Sequence, residues 1–142
     1  MTTARDLMTT NTTCAHTDDT LADAAAAMRR HDVGALPVCG DDDRLHGMVT
    51  DRDIVVKCVA DGGDPRVMRV SSLCDGTLVT VGVDASVDEV VRTMTEHRVR
   101  RLPVLDGERL VGVVCQADVA AHLPPEKVGR LVRAITASAP ND

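Results

Sequence analysis

HDVGALPV at residues 31–38 and HRVRRLPV at residues 97–104 decide the fold, because the second stretch repeats the first. Working outward, the same alignment sets Leu7 on Leu73, Asp18 on Asp84, Thr20 on Ser86 and Met28 on Met94. After a turn one residue shorter in the second copy, RLHGMVTDRDI (44–54) falls on RLVGVVCQADV (109–119), so that Gly47 meets Gly112 and Asp53 meets Asp118. A period of this length is the mark of a duplicated structural unit. The spacing predicts modules at 4–62 and 70–123, joined by the turn-forming run Gly62-Gly63-Asp64-Pro65.

Each copy carries the same elements. A short extended piece comes first, near Thr12–His16 and Leu78–Val81. A helix follows, started by Thr20 with Asp23 three positions on, or by Ser86 with Glu89. Its apolar stripe is Leu21, Ala24, Ala25 and Met28 in the first copy and Val87, Val90, Val91 and Met94 in the second, the spacing of one buried face. Two strands and a second helix from Asp51 or Gln116 complete a β-α-β-β-α unit. The class is α/β (α+β). A unit this small leaves one sheet face bare, so two tandem copies are expected to cover each other about a pseudo-two-fold axis. Residues 124–142 begin with Pro124-Pro125. Val128, Leu131, Val132 and Ile135 there share one face of an amphipathic helix, for docking on the body or on a second subunit.

Composition excludes several functions. The 142 residues hold 16 Lys+Arg against 22 Asp+Glu, a formal charge of −6, and no Phe, Tyr or Trp. Nucleic-acid binders need a basic face or aromatic stacking platforms, so no nucleic acid is expected. Neither a leader nor a membrane span is visible, which predicts a cytoplasmic protein, with leaderless export still open. No nucleophile–base pair, glycine-rich phosphate loop or metal-hydrolase motif is present, so the chain is not expected to be an enzyme.

Five cysteines, without a C-x-x-C pair, give neither a zinc ribbon nor a thioredoxin motif. The crossover rule sets the strand near Cys14 parallel to the one ending at Cys39. Those two are either a disulfide or two reduced thiols. Thr50-x-x-Asp53 reads equally as a capping box or as a grip on a sugar and a phosphate at a helix N-terminus.

The Asp6-Leu7-Met8 lead-in, the capped helix ending in His-x-Val, the Leu-Pro-Val strand and the Gly-x-x-Thr-x-x-Asp turn, in that order and duplicated, resemble the CBS module. As a free-standing pair, the chain is similar to stand-alone CBS regulators of stress and hypoxia responses. The resemblance implies clefts for an adenosine compound such as AMP, ATP or S-adenosylmethionine, and a homodimer. By the family's pattern Asp53 would accept from ribose hydroxyls and Thr50 would donate to a phosphate that Arg52 helps neutralise. Asn11, Thr13, Val33 and Met48 would line the adenine slot. The second slot would be lined by Thr77, Val79, Val99 and Val113, with Asp118 on the ribose and Arg100 and Arg101 in reach of phosphates. Cys115 and Gln116 stand where the first copy has Thr50 and Asp51, and Asp41-Asp42-Asp43 adds negative charge. Both departures favour an alternative, an interaction or structural dimer with degenerate, ligand-free clefts. The family's helices tend to face a partner subunit. His97 and His122 would then supply four imidazoles across a two-fold axis, a zinc site; complementing a helix dipole is the other reading of His97, as it is of His31.

Overall fold

A computed structural model of the chain describes residues 1–10, 13–74 and 78–136. It divides into two compact units, one made of Met1–Asn11 with Val79–Asp142 and the other of Thr12–Leu78.

In the contiguous unit, β1 (Ala15–His16) leads into α2 (Leu21–His31), then β2 (Ala35–Cys39) and β3 (Leu45–Thr50); α1 (Ala4–Leu7) precedes them and belongs to the other unit. The sheet order is β1-β2-β3, with β1 parallel and β3 antiparallel to β2. Thr20 caps α2: its hydroxyl accepts from Asp23 N and its own N–H donates to Asp23 Oδ2, both at 3.1 Å. At the other end Asp32 takes the left-handed conformation (φ 51°) and Val33 N–H donates to Met28 O at 3.0 Å. The buried face of α2 is Leu21, Ala24, Ala27 and Met28; Ala25, expected inside, is exposed, because the face drifts toward Ala27 on a 3.6-residue period. The second helix begins as α3 (Asp51–Asp53) and continues in π winding over Ile54–Val59, seating Ile54 and Cys58 in the core and leaving Val55, Val56 and Val59 exposed.

The other unit repeats the plan with β4 (Val81–Gly82), α4 (Val87–His97), β5 (Arg101–Asp106), β6 (Arg109–Cys115) and α5 (Gln116–Ala120). Strand order, pairing senses and the position of a register shift, Val38/Cys39 and Val104/Leu105, match the first copy. Arg98 (φ 56°) closes α4 as Asp32 closes α2. The tail helix α6 (Pro125–Thr136) packs on α4 of its own unit, burying Leu131 and Ile135.

The lead-in segments are exchanged between the copies. Thr9 pairs with Val113 on the outer edge of β6 (Thr9 N to Val113 O 2.9 Å, Val113 N to Thr9 O 3.2 Å), and Ala4 and Leu7 enter the core built from the second repeat. Reciprocally, the 3-10 turn Val70–Leu73 of the second repeat joins the core of the first, and Cys74 lies over Gly47. The compact units are thus out of phase with the sequence repeat.

Candidate functional site

At the end of β3, Thr50 and Asp53 form a reciprocal cap. Thr50 N–H donates to Asp53 Oδ2 at 3.2 Å and Thr50 Oγ1 accepts from Asp53 N–H at 3.0 Å. Lys57 Nζ lies 3.4 Å from Asp53 Oδ1, and the carboxylate side chain stays 25% exposed. A carboxylate has about four acceptor sites and the box uses one of them. The Thr50 hydroxyl accepts in the box and keeps its own proton to donate. Capping and ligand binding therefore do not exclude each other at these two residues.

Alternation along β3 sends Leu45, Gly47 and Val49 into the core and leaves Met48 and Thr50 together on the opposite, half-open face. Val33 is exposed just before β2, and Asp51 sits over Gly34, where an added Cβ would come 3.1 Å from its Oδ2. Arg52 is exposed at the head of α3. The Thr13 hydroxyl is 3.2 Å from His31 Nε2, and Thr13 lines a cavity beside α2. Asn11 and Thr77 lie outside the described residues.

The second copy differs. Cys115 N–H donates to Asp118 Oδ2 at 2.8 Å, so the carboxylate half of the box is kept. Burial pushes the Cys115 thiol above its usual pKa, the charge of Asp118 adds to this, and Arg101 opposes it. Arg101 is exposed and Arg100 half-buried. Val113, the counterpart of half-open Met48, is buried. Val79 and Val99 pack against the core of their unit.

The acidic run does not crowd Thr50. The hairpin register pairs Ala35 with Thr50 at one end and Cys39 with Leu45 at the other, and the run turns at that far end. Its charges have partners there. His16 Nε2 is 2.6 Å from Asp41 Oδ1, and Asp42 faces Arg44 at 3.7 Å and His46 at 3.9 Å. His16 Nδ1 accepts from Asp18 N–H at 3.1 Å, which places the ring proton on Nε2, toward Asp41. His16, Asp18 and Asp41 form the one three-residue group of potential metal ligands among the described residues. Sequence reasoning missed it, because the two turns that supply it are joined only through the β1–β2 pairing.

Cys14 and Cys39 are neighbours, as the parallel crossover requires. Their sulfurs are 3.1 Å apart as free thiols, Cys14 exposed and Cys39 buried. His97 closes α4 and is exposed. His122, also exposed, follows α5 with Nδ1 3.1 Å from the Asp118 carbonyl. Among the described residues no helix is long and apolar enough to cross a membrane.

The model of the CBS domain matches twice, over residues 4–59 and 70–125. The chain belongs to the CBS-domain family. As a CBS pair it is 51% identical over 135 residues to hypoxic response protein 1 of Mycobacterium tuberculosis, covering 95% of this chain and 94% of that protein. The CBS domain-containing protein YhcV of Bacillus subtilis is 36% identical over 86% of both chains. Among solved structures, hypoxic response protein I with two coordinated zinc ions superposes with a TM-score of 0.79 at 53% identity, covering 87% of this chain and all of that one. A hexameric CBS-CP12 protein from bloom-forming cyanobacteria gives 0.73 at 33% identity, over 84% and 69%. The CBS pair here is thus a regulatory module related to hypoxic response protein 1.

Proposed function

We propose that this CBS pair is a non-catalytic sensor that binds an adenosine compound such as AMP, ATP or S-adenosylmethionine at Thr50–Asp53 and acts as a homodimer in a stress or hypoxia response. The observation that carries the reading is the Asp53 carboxylate, which holds its cap with one oxygen, meets Lys57 with the other and stays partly exposed just beyond the strand that carries Met48. Exposed Val55, Val56 and Val59 offer apolar surface to a second copy, and the kinship with hypoxic response protein 1 supports the stress role.

Thermal melting with millimolar AMP, ATP and S-adenosylmethionine tests it. A ligand at a hundredfold its Kd adds about 2.7 kcal/mol to the folded state, a shift of several degrees. Asp53→Asn keeps a capping side chain and is expected to remove the shift while leaving the unliganded melt nearly unchanged. No shift with any of the three overturns the sensor. It would leave the second reading, an interaction dimer with ligand-free clefts, which buried Val113 and the thiol at Cys115 favour.

Zinc is the metal of this reading. His122 Nδ1, donating to the Asp118 carbonyl, leaves Nε2 to ligate, the usual arrangement of a metal-bound imidazole. With His97 of the same unit and the same pair from a two-fold-related copy, four nitrogens satisfy zinc's tetrahedral preference. Metal analysis of untagged protein is expected to find at least about one zinc per dimer, lost in His97→Ala and in His122→Ala. Substoichiometric metal rejects the site. A Cys14–Cys39 bridge is the redox part of the proposal. Unreduced, denatured protein is expected to show three reactive thiols of its five cysteines, and five would exclude the bridge.

A further inference from the structure

Backbone amides are what a helix head offers to a phosphate. A helix leaves the N–H groups of its first turn without intrahelical partners. In the first copy they are all taken. Asp51 N–H donates to Gly34 O at 2.9 Å, Arg52 N–H to Asp51 Oδ1 at 2.8 Å and Asp53 N–H to Thr50 Oγ1 at 3.0 Å. Ile54 N–H donates to Asp51 O. The Asp51 carboxylate is thus the acceptor at the second position, and its other oxygen lies over Gly34, the residue after exposed Val33. Among these cap groups the Thr50 hydroxyl alone keeps a proton to give. Asp51 and Asp53 are matched in charge by Arg52 and Lys57, and Lys57 Nζ is 3.4 Å from Asp53 Oδ1. The turn therefore has no surplus positive charge to set against a phosphate monoester, which brings about two negative charges at neutral pH.

We propose that the first cleft takes a phosphate-free adenosine compound, either the nucleoside or one whose 5′ substituent is neutral or positively charged, and that Asp51 turns phosphorylated ones away. This rests on the adenosine site proposed at Thr50–Asp53 and narrows its ligand. The ribose of such a compound meets what the site does offer, the partly exposed Asp53 carboxylate, an acceptor for both hydroxyls. A 5′ phosphate within reach of Thr50 comes up against the Asp51 carboxylate one residue on. Displacing that carboxylate from Arg52 N–H leaves it beside an anion, and keeping it in place leaves the phosphate without a backbone donor. Both outcomes cost affinity. A sulfonium in the same place, as in S-adenosylmethionine, meets Asp51 as its counter-ion. In the second copy neutral Gln116 stands at the Asp51 position and Arg101 pairs with Cys115 in the strand register, so the exclusion belongs to the first cleft.

Titration calorimetry of the full chain with adenosine and AMP, which differ only in the phosphate, tests this. Only binding that Asp53→Asn abolishes is scored, which confines the measurement to the first cleft. Adenosine is expected to bind at least about tenfold tighter than AMP. Asn at position 51 can still accept from Arg52 N–H. In Asp51→Asn the Kd of AMP is expected to fall about tenfold or more, and that of adenosine to change by less than about threefold, which also shows that the variant is folded. The gain for AMP is expected to shrink at high salt. AMP binding as tightly as adenosine to the unaltered chain, or a ratio that Asp51→Asn leaves unchanged, overturns the exclusion while the adenosine site stands. If neither adenosine nor S-adenosylmethionine binds, or if their binding wholly survives Asp53→Asn, the site itself falls and the exclusion falls with it.

Discussion

Leu102→Ala is expected to lower the free energy of unfolding by about 2–5 kcal/mol, out of the about 5–15 kcal/mol that hold a typical domain together. Leu102 is fully buried on β5, in one cluster with Val90 and Met94 of α4 and with Leu131 and Ile135 of α6. The chain has no aromatic residue, so this interior depends on aliphatic side chains meshing closely. A hole left at Leu102 falls in a cluster made mostly of branched Val, Leu and Ile side chains, which have little freedom to fill it. Leu36, its counterpart, is equally buried but sits in a cluster with Ala24 and Ala27. Short alanine side chains let α2 settle inward, so Leu36→Ala is expected toward the lower end of that range. Urea unfolding followed by circular dichroism measures both. A larger loss at Leu36 would contradict the account.

The next largest effect is expected at Gly112. A Cβ there would come within 2.7 Å of Met8 Sδ and 2.8 Å of Thr9 O. The Met8 side chain can swing away, but the Thr9 carbonyl accepts the Val113 N–H and cannot retreat without breaking that pairing. Gly112→Ala is therefore expected to cost about 1–3 kcal/mol and to make residues 1–10 sensitive to protease. At Gly47 the equivalent Cβ meets Cys74 Sγ at 3.3 Å and the nearest backbone atom at 3.9 Å, so Gly47→Ala is expected to be mild. Limited proteolysis with amino-terminal sequencing of the fragments separates the two. Equal resistance would mean that Thr9 yields more easily than its hydrogen bonds indicate.

The exchange behind this contrast is what the sequence could not reveal. Residues 4–8 and 70–74 align with each other, so either could sit on either sheet, and no periodicity distinguishes the choices. The repeated hairpins and the capped helix starts were legible, because each is a local pattern with a local physical cause; the left-handed closures at Asp32 and Arg98 were not, because neither is a glycine. At the candidate site the Thr50–Asp53 pair was legible for the same reason: its three-residue spacing is set by one helical turn. The lining was less so. Val113 reads as a slot residue by analogy with Met48, yet the pairing of Thr9 with β6 accompanies its burial. The ion pairs of Asp41 and Asp42 likewise depend on a sheet register that only folding reveals.

The reciprocal lead-ins also set a timetable. Thr12–Leu78 is continuous, so that unit can assemble while later codons are still being read. The other unit needs both ends of the polypeptide. Its first eleven residues leave the ribosome early and must wait, unpartnered, until β6 has been made. Contacts of such long separation close slowly. The nascent amino terminus is then the part most open to chaperones and proteases during synthesis, and a transcript cut short before β6 would yield a finished first unit trailing an orphaned end.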